Sequence, residues 1–217
     1  MENKKVVSFV GPMGSGKTTA CNVLEGLGYE RLSHAGSLKD EAMRYFGLTA
    51  HQVYTQEGKL ESVPICEIVD HINESDCPEP IKRMSVKVLG SIRAIDITSR
   101  KVLQLYGTEI IKPLYGDDYW VKRTLDKIKN SEKEYFCIDD TRFIVERETL
   151  GRNLHHIVSV GITRDLSAIA GGVSADLHQS ELEMVENWSL MTDFTIINDG
   201  SVDQLKTKLL FLDAILR

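Results

Sequence analysis

The sequence lacks the patterns that mark several large classes of protein. Its four cysteines form no Cys-x-x-Cys pair and no cluster with histidine at metal-ligand spacing, which argues against a zinc site and a disulfide framework. No run of about eighteen apolar residues occurs, and the first residues lead directly into a strand pattern. We therefore expect neither a signal peptide nor a membrane span, and a location in the cytoplasm.

Basic residues are outnumbered and scattered. The formal net charge is −6 at pH 7 and no long run of lysine and arginine is present, so polymeric nucleic acid is a poor partner. A chain of this charge repels anions as a whole. If it binds phosphates, it must do so with backbone amides and a few locally placed cations, so each arginine has to be weighed individually.

Short apolar runs alternate with helix-length segments along the 217 residues, whose 42% hydrophobic content is ordinary for one compact domain. This alternation predicts a three-layer α/β/α domain, residues 1–217, with a central parallel sheet. Residues 48–97 show no single period and are interpreted as a mainly helical or mixed insertion. Ser99 is the predicted N-cap of a helix through Tyr106, and Asp117 opens the next helix. Strands are predicted at 6–10, 31–33, 135–138, 156–160 and 194–197, with helices at 17–27, 36–46 and 201–216.

The strongest motif is Gly11-Pro-Met-Gly-Ser-Gly-Lys17-Thr18, which matches G-x-x-x-x-G-K-[ST] between a predicted strand and a predicted helix. Glycines let the backbone turn its N–H groups towards a phosphate, and the helix N-terminus adds partial positive charge. Lys17 would reach the β- and γ-phosphates of ATP, and Thr18 would bind Mg²⁺. The predicted ATP-binding residues of this loop are Gly11, Gly14, Ser15, Gly16, Lys17, Thr18 and Thr19.

The other motifs favour a small-molecule kinase over a GTPase. A GTPase needs Asn-Lys-x-Asp after a late strand, whereas here the strand at 194–197 is followed by Asn198-Asp199-Gly200-Ser201, without the lysine. Asp140 ends another apolar strand, where open parallel sheets build ligand sites, and could hold Mg²⁺; Asp139 competes for that role. In such a kinase, positioning and charge neutralisation supply most of the catalysis.

Four further stretches resemble the bacteriophage deoxynucleoside monophosphate kinases and follow the same order as in that family. They are Ser33-His-Ala-Gly-Ser-Leu-Lys39-Asp, then Arg100-Lys-Val-Leu-Gln104-Leu-Tyr-Gly-Thr-Glu with the later Trp120, then Asp140-Thr-Arg142, and finally His178-Gln-Ser-Glu with Ile197-Asn-Asp-Gly-Ser. The resemblance implies a P-loop kinase that transfers the γ-phosphoryl group of MgATP to a deoxynucleoside monophosphate. With the P-loop, it covers most of the chain outside residues 48–97, the expected acceptor-binding insertion.

The resemblance also implies roles for individual residues. Asp140 is the metal ligand beside Thr18, and Lys17, Asp140, Arg142 and Arg164 are the catalytic candidates. Arginine forks match phosphates bidentately, so Arg100 and Arg142 are expected to bind the acceptor phosphate. The full acceptor-binding set is Lys39, Arg100, Gln104 and Arg142, and Asn198 and Gly200 resemble an adenine-binding turn.

A Gly/Ser/Ala-rich stretch, residues 164–180, is interpreted as a lid in which Arg164 stabilises charge on the transferring group. His178 lies in it and is more often a packed or surface histidine than a proton shuttle. Two rival functions remain open: a dephospho-coenzyme A kinase or another P-loop metabolite kinase, and a P-loop protein that binds nucleotide without catalysis. A homodimer is possible, and the cytoplasm would be that of the host if the chain is of phage origin.

Overall fold

The computed structural model describes residues 3–165 and 184–217. It divides into two compact units, of which the first comprises Met1–His34 and Val121–Arg217. A parallel five-stranded sheet, in the order β2-β5-β1-β6-β7, forms the centre of this unit. Its strands are β1 (Lys5–Val10), β2 (Glu30–Leu32), β5 (Tyr135–Thr141), β6 (His156–Thr163) and β7 (Phe194–Ile197), while β3 (Ser62–Pro64) and β4 (Asp96–Thr98) belong to the second unit.

Helices pack on both faces of the sheet, which explains why its strands are continuous apolar runs. Alternate residues of a strand point to opposite faces. Val7 and Phe9 pack with α1 and the C-terminal helix, whereas Val6 packs with α8 and α9. The helices are α1 (Lys17–Glu25), α8 (Tyr119–Asn130), α9 (Ile144–Asn153), a short helix (Trp188–Met191) and the C-terminal helix (Val202–Leu216). The predicted three-layer α/β/α arrangement with a central parallel sheet is therefore confirmed.

The second unit, Ala35–Trp120, is mainly helical. Its elements surround one apolar core, which contains Phe46, Ile68 and Tyr106, and β3 pairs with β4 in antiparallel fashion. Residues 48–97 lie within this unit, and their role in binding an acceptor stays a prediction. The helices are α2 (His34–Phe46), α3 (Ala50–Tyr54), α4 (Ile65–Glu74), α5 (Glu79–Gly90), α6 (Ser99–Gln104) and α7 (Lys112–Tyr115), with a 3-10 turn (Gly58–Leu60) and a π-helical stretch (Leu105–Ile111).

A buried carboxylate lies in the core of the second unit. Glu41 accepts a hydrogen bond from the Tyr106 hydroxyl at 2.7 Å and a longer one from the Tyr119 hydroxyl at 3.4 Å. Burial, followed by the charge of Glu41, raises the pKa of the Tyr106 phenol, so Tyr106 remains a donor. Because a buried carboxylate without donors is costly, the first bond holds α2 to the π-helical stretch and the second holds it to Tyr119.

Three local predictions are corrected by the structure. The N-cap of α6 is Thr98, whose hydroxyl accepts from the Lys101 amide at 3.2 Å, and Ser99 is instead the first helical residue. The helix expected to start at Asp117 begins at Tyr119. The strand predicted to end at residue 138 continues to Thr141, because pairing with β1 extends it through two acidic residues that look like a strand end in the sequence.

The described helices are short. The C-terminal helix, with 15 residues, is the longest of them. A helix needs about 20 predominantly apolar residues to cross a bilayer. Within residues 3–165 and 184–217, no helix is both long and apolar enough to do so.

Replacing Tyr106 by Phe tests the role of the buried carboxylate. We expect Y106F to lower the free energy of unfolding by about 1–3 kcal/mol, since Glu41 loses its closer donor while staying buried. Urea unfolding followed by circular dichroism measures this. Tyr115→Phe removes a hydroxyl at an exposed position and should change stability little; equal effects of the two substitutions would contradict the argument.

Candidate active site

The P-loop connects β1 to α1, as the motif predicts. Lys17 is buried, and its ammonium donates to the carbonyl oxygens of Gly11 at 2.6 Å and Pro12 at 2.8 Å. The loop therefore curls around its own lysine. Thr18 and Thr19 follow in the first turn of α1, with Thr18 exposed, and α1 contains no acidic residue in that turn to oppose an anion.

Two glycines of the loop have a backbone that other residues rarely adopt. Gly14 has φ of 78° and Gly16 has φ of 110°, both in the left-handed region. A Cβ on Gly16 would also overlap the side-chain amide of Asn198. The spacing of glycines in the motif thus has a local steric reason in this chain.

Asn198 contacts the loop directly. Its side-chain nitrogen donates to the Ser15 carbonyl at 2.8 Å, and its backbone amide donates to the Thr163 carbonyl at 2.7 Å, so the residue joins β6, β7 and the P-loop. The side chain is buried, whereas Gly200 is exposed two residues later. The adenine-binding role of both residues stays a prediction, and the observed contacts give Asn198 a second role in holding the loop.

The two aspartates of β5 have different partners. Asp139 forms an ion pair with Arg31 of β2. Asp140 accepts a hydrogen bond from the Ser33 hydroxyl and another from the His34 backbone amide, both at 2.8 Å. Asp139 is thus paired with an arginine, whereas the donors to Asp140 are a hydroxyl and a backbone amide. The role of Asp140 as a metal ligand stays a prediction.

His34, whose backbone amide donates to Asp140, also belongs to a buried network of polar side chains. The ring nitrogens of His34 lie 3.0 Å from the Thr124 hydroxyl and 3.3 Å from the Thr141 hydroxyl, which in turn lies 2.7 Å from the Ser8 hydroxyl. These contacts connect the first residue of α2 with α8, β5 and β1. No role was predicted for Ser33 or His34 from the sequence, because only the strand order brings them to Asp140.

Arg142 follows β5 and is exposed. Its backbone amide donates to Glu146 at 2.8 Å, and within the described ranges its guanidinium forms no ion pair. Burial raises the pKa of the Glu146 carboxyl, although His34 and the amide donors lower it. Arg164 donates through Nε to the Gly14 carbonyl at 3.0 Å. The structure thus brings Arg164 to the P-loop and leaves Arg142 available for an anion.

The oxygen donors fit a magnesium ion held together with a nucleotide. Mg²⁺ usually keeps several waters and takes one or two protein oxygens in addition to phosphates. Thr18 offers an exposed hydroxyl and Asp140 a partly buried carboxylate, both hard oxygen donors. Among residues 3–165 and 184–217, no group of three or more His, Cys, Asp or Glu residues could hold a metal ion by itself.

The predicted acceptor residues Lys39, Arg100 and Gln104 lie in the second unit. The Lys39 ammonium lies 4.8 Å from the ring centre of Tyr54, and Arg100 donates to the Gln56 side chain at 3.0 Å. Gln104 is exposed at the end of α6. The two predicted cations therefore contact the same short segment of chain, which the sequence did not indicate.

Part of the predicted lid cannot be described. Of residues 164–180, only Arg164 and Asp165 belong to the described ranges, and the Thr163 hydroxyl donates to the Asp165 carbonyl at 2.7 Å. His178 lies outside the described residues. The lid assignment stays a prediction.

Replacing Asn198 by Ala tests its contact with the P-loop. We expect the affinity for ATP to fall about fivefold, because one buried hydrogen bond of about 1 kcal/mol no longer holds the Ser15 carbonyl. Isothermal titration calorimetry measures the affinity. Asn153→Ala is the matched control, since that side chain also donates to a backbone carbonyl, of Thr149, at 2.7 Å. If ATP binds N198A and wild type equally well, the contact does not shape the site.

Comparison with known sequences identifies relatives of this chain. The sequence model of the family described as deoxynucleotide monophosphate kinase matches residues 5–209. A "Nucleotide-binding protein" from Thermotoga neapolitana is 29% identical over 160 residues, which is 70% of this chain and 54% of that protein. The deoxynucleotide monophosphate kinase of Escherichia phage RB69 is 30% identical over 118 residues, 51% of this chain and 42% of that protein. The chain thus spans about half the length of the curated relatives it matches.

A solved structure, dephospho-CoA kinase from Campylobacter jejuni, aligns over 99% of this chain and 98% of its own, with 12% identity and a TM-score of 0.48. A TM-score this low supports no inference about the present chain. The family match is different in kind, because it extends from β1 into the C-terminal helix and includes the P-loop, Asp140 and Asn198. The chain belongs to the deoxynucleotide monophosphate kinase family.

Proposed function

We propose that this chain transfers the γ-phosphoryl group of MgATP to a deoxynucleoside monophosphate, giving the deoxynucleoside diphosphate and ADP. The observation that carries the proposal is the edge of the parallel sheet. There the P-loop follows β1, Asp140 is the last residue but one of the neighbouring β5, and Arg142 comes directly after that strand. The chain also belongs to a family described as deoxynucleotide monophosphate kinase. Carboxyl ends of strands are where open α/β sheets bind ligands.

The ATP end of the reaction is assigned to the P-loop. The backbone N–H groups from Met13 to Thr19 face the phosphates, and the N-terminus of α1 adds partial positive charge. Lys17 exchanges its two carbonyl partners for oxygens of the β- and γ-phosphates. Asn198 keeps the loop in place through Ser15.

Magnesium is assigned to the hydroxyl of Thr18 and, through water, to Asp140. When bound, it neutralises charge on the β- and γ-phosphates. Ser33 and His34 orient the Asp140 carboxylate by donating one hydrogen bond to each of its oxygens. The protein thus supplies a carboxylate that these two donors hold in a defined orientation.

The acceptor is assigned to Lys39, Arg100, Gln104 and Arg142. An oxygen of the acceptor phosphate attacks the γ-phosphorus of ATP, the bond to the β–γ bridging oxygen breaks, and ADP leaves with the bond electrons. No covalent intermediate with the protein forms. Arg142 and Arg164 stabilise the charge on the transferring group. Such electrostatic stabilisation is usually the largest contribution that a protein makes to phosphoryl transfer.

The two rival functions have less support. Dephospho-coenzyme A as acceptor does not agree with the family to which the chain belongs. A P-loop protein without catalysis does not account for Arg142, whose exposed guanidinium comes directly after the strand that contains Asp140. The cytoplasmic location and the homodimer stay predictions.

The acceptor is tested by ADP release with a panel of nucleoside monophosphates, deoxynucleoside monophosphates and dephospho-coenzyme A. The proposal expects release with one or more deoxynucleoside monophosphates at rates well above the background with ATP alone. Release only with dephospho-coenzyme A, or with no acceptor in the panel, would overturn it.

Replacing Lys17 by Met should lower kcat at least 100-fold while the protein stays folded. Losing one contact to charge on the transferring group costs about 3–4 kcal/mol. The measurements are steady-state ADP release and circular dichroism. Lys129→Met, an exposed lysine of α8, is the control and should keep wild-type turnover. Equal turnover of K17M and K129M would rule out the assigned role.

The roles assigned to Arg100 and Arg142 predict that their loss weakens the binding of the monophosphate and not the binding of ATP. Arg100→Ala and Arg142→Ala should each weaken monophosphate binding by tenfold or more, because a charge-assisted hydrogen bond contributes about 1.5–3 kcal/mol, and leave ATP binding nearly unchanged. Calorimetric titration of each variant with ATP and with the best monophosphate provides the test. If ATP affinity falls and monophosphate affinity holds, the two sites are assigned in reverse.

A further inference from the structure

A third cation lies close to the predicted acceptor residues of the second unit. Lys59 belongs to the 3-10 turn Gly58–Leu60, which residues 55–57 separate from α3. The same segment contains Tyr54, whose ring Lys39 contacts at 4.8 Å, and Gln56, which accepts from Arg100 at 3.0 Å. Lys59 thus comes three residues after the partner of Arg100 and five after the partner of Lys39.

Backbone contacts hold this segment to α6. The amide of Ser99, the residue before Arg100, donates to the Glu61 carbonyl at 2.9 Å, and the Ser99 hydroxyl donates to the same oxygen at 3.3 Å. The Lys59 amide donates to the Thr55 carbonyl at 3.3 Å. The bonds to Glu61 hold the segment to α6, and α2 contacts it where Lys39 lies 4.8 Å from the ring centre of Tyr54. The three cations therefore come from three elements of one unit.

Among residues 3–165 and 184–217, no carboxylate forms an ion pair with any of these three cations, Lys39, Lys59 and Arg100. The nearby carboxylates have other contacts: Asp40 accepts from the Tyr54 hydroxyl at 3.4 Å, and Glu61 lies 3.2 Å from His51. Burial, followed by the charges of Lys39 and Arg100, lowers the pKa of the Lys59 ammonium. The positive charges of Lys39 and Arg100 therefore act on the Lys59 ammonium, and the three cations repel one another.

We propose that Lys39, Lys59 and Arg100 form one binding site for a phosphate monoester dianion, with Lys59 as the residue that makes the site selective for the dianion. The identity of the ester as a deoxynucleoside monophosphate rests on the proposed function. Arg100 presents a planar fork to two phosphate oxygens, and the lysines act as point charges on the others. A half-buried lysine beside two cations gains most from a ligand with two negative charges, because that ligand relieves the repulsion among all three.

The test compares wild type with Lys59→Gln, Lys59→Arg and the control Lys101→Gln by isothermal titration calorimetry. Lys101 is exposed on α6 and has the same charge as Lys59, so its removal controls for the general field. The probes are deoxynucleoside monophosphates, their 5′-methyl phosphodiesters, 2-deoxyribose 5-phosphate and inorganic phosphate. We expect K59Q to lower monoester affinity about tenfold and diester affinity at most threefold, K59R to retain most of the monoester affinity, and K101Q to resemble wild type.

The outcomes separate this site from the proposed function. If deoxynucleoside monophosphates are bound and phosphorylated but K59Q binds them like wild type, the site is overturned and the function stands. If those nucleotides do not bind, yet deoxyribose phosphate or inorganic phosphate binds in a Lys59-dependent way, the site stands and the function fails. An equal loss of monoester and diester affinity in K59Q, or no binding of any probe, overturns the site.

Discussion

The position of β1 between β5 and β6 determines where the candidate residues of the first unit lie. Because all five strands are parallel, their carboxyl ends meet at one edge. Val10 pairs with Thr141 on one side and with Gly161 on the other, so the P-loop, Arg142 and Arg164 all begin within a few residues of that edge. Any change that slipped this register would separate the loop from its supporting residues.

Much of this edge could be predicted from the sequence, because its signals are local. The P-loop has a fixed spacing of glycines, and a buried parallel strand is recognisable as an apolar run. Which of Asp139 and Asp140 is the better candidate for a metal ligand could not be judged from neighbouring residues in the sequence. It depends on β2 lying beside β5, which brings Arg31 to one carboxylate and Ser33 to the other. Ser33 and His34 could be found only once that pairing was known.

The second unit was less predictable for a related reason. Its helices are short and share one core, so no single period dominates residues 48–97. Lys59 has no sequence signal of its own, since a lone lysine in a polar turn is usually a solvated residue. The sequence predicted Ser99 as the N-cap of α6 where the structure has Thr98. Both residue types are good N-caps, and only the hydrogen bond from the Lys101 amide distinguishes them. The net charge of −6 is a sum over all 217 residues, so it does not reveal that Lys39, Lys59 and Arg100 lie near the same segment.

The two carbonyl oxygens that Lys17 contacts have a consequence for selectivity among anions. Under the proposed function, a phosphate that enters the loop competes with the Gly11 and Pro12 oxygens for the protons of the Lys17 ammonium. The net gain is the difference between two sets of hydrogen bonds, so a weakly basic or singly charged ion gains little. On the same proposal, a polyphosphate with several charged oxygens exceeds that threshold, so the internal contacts of Lys17 favour a polyphosphate over a small anion.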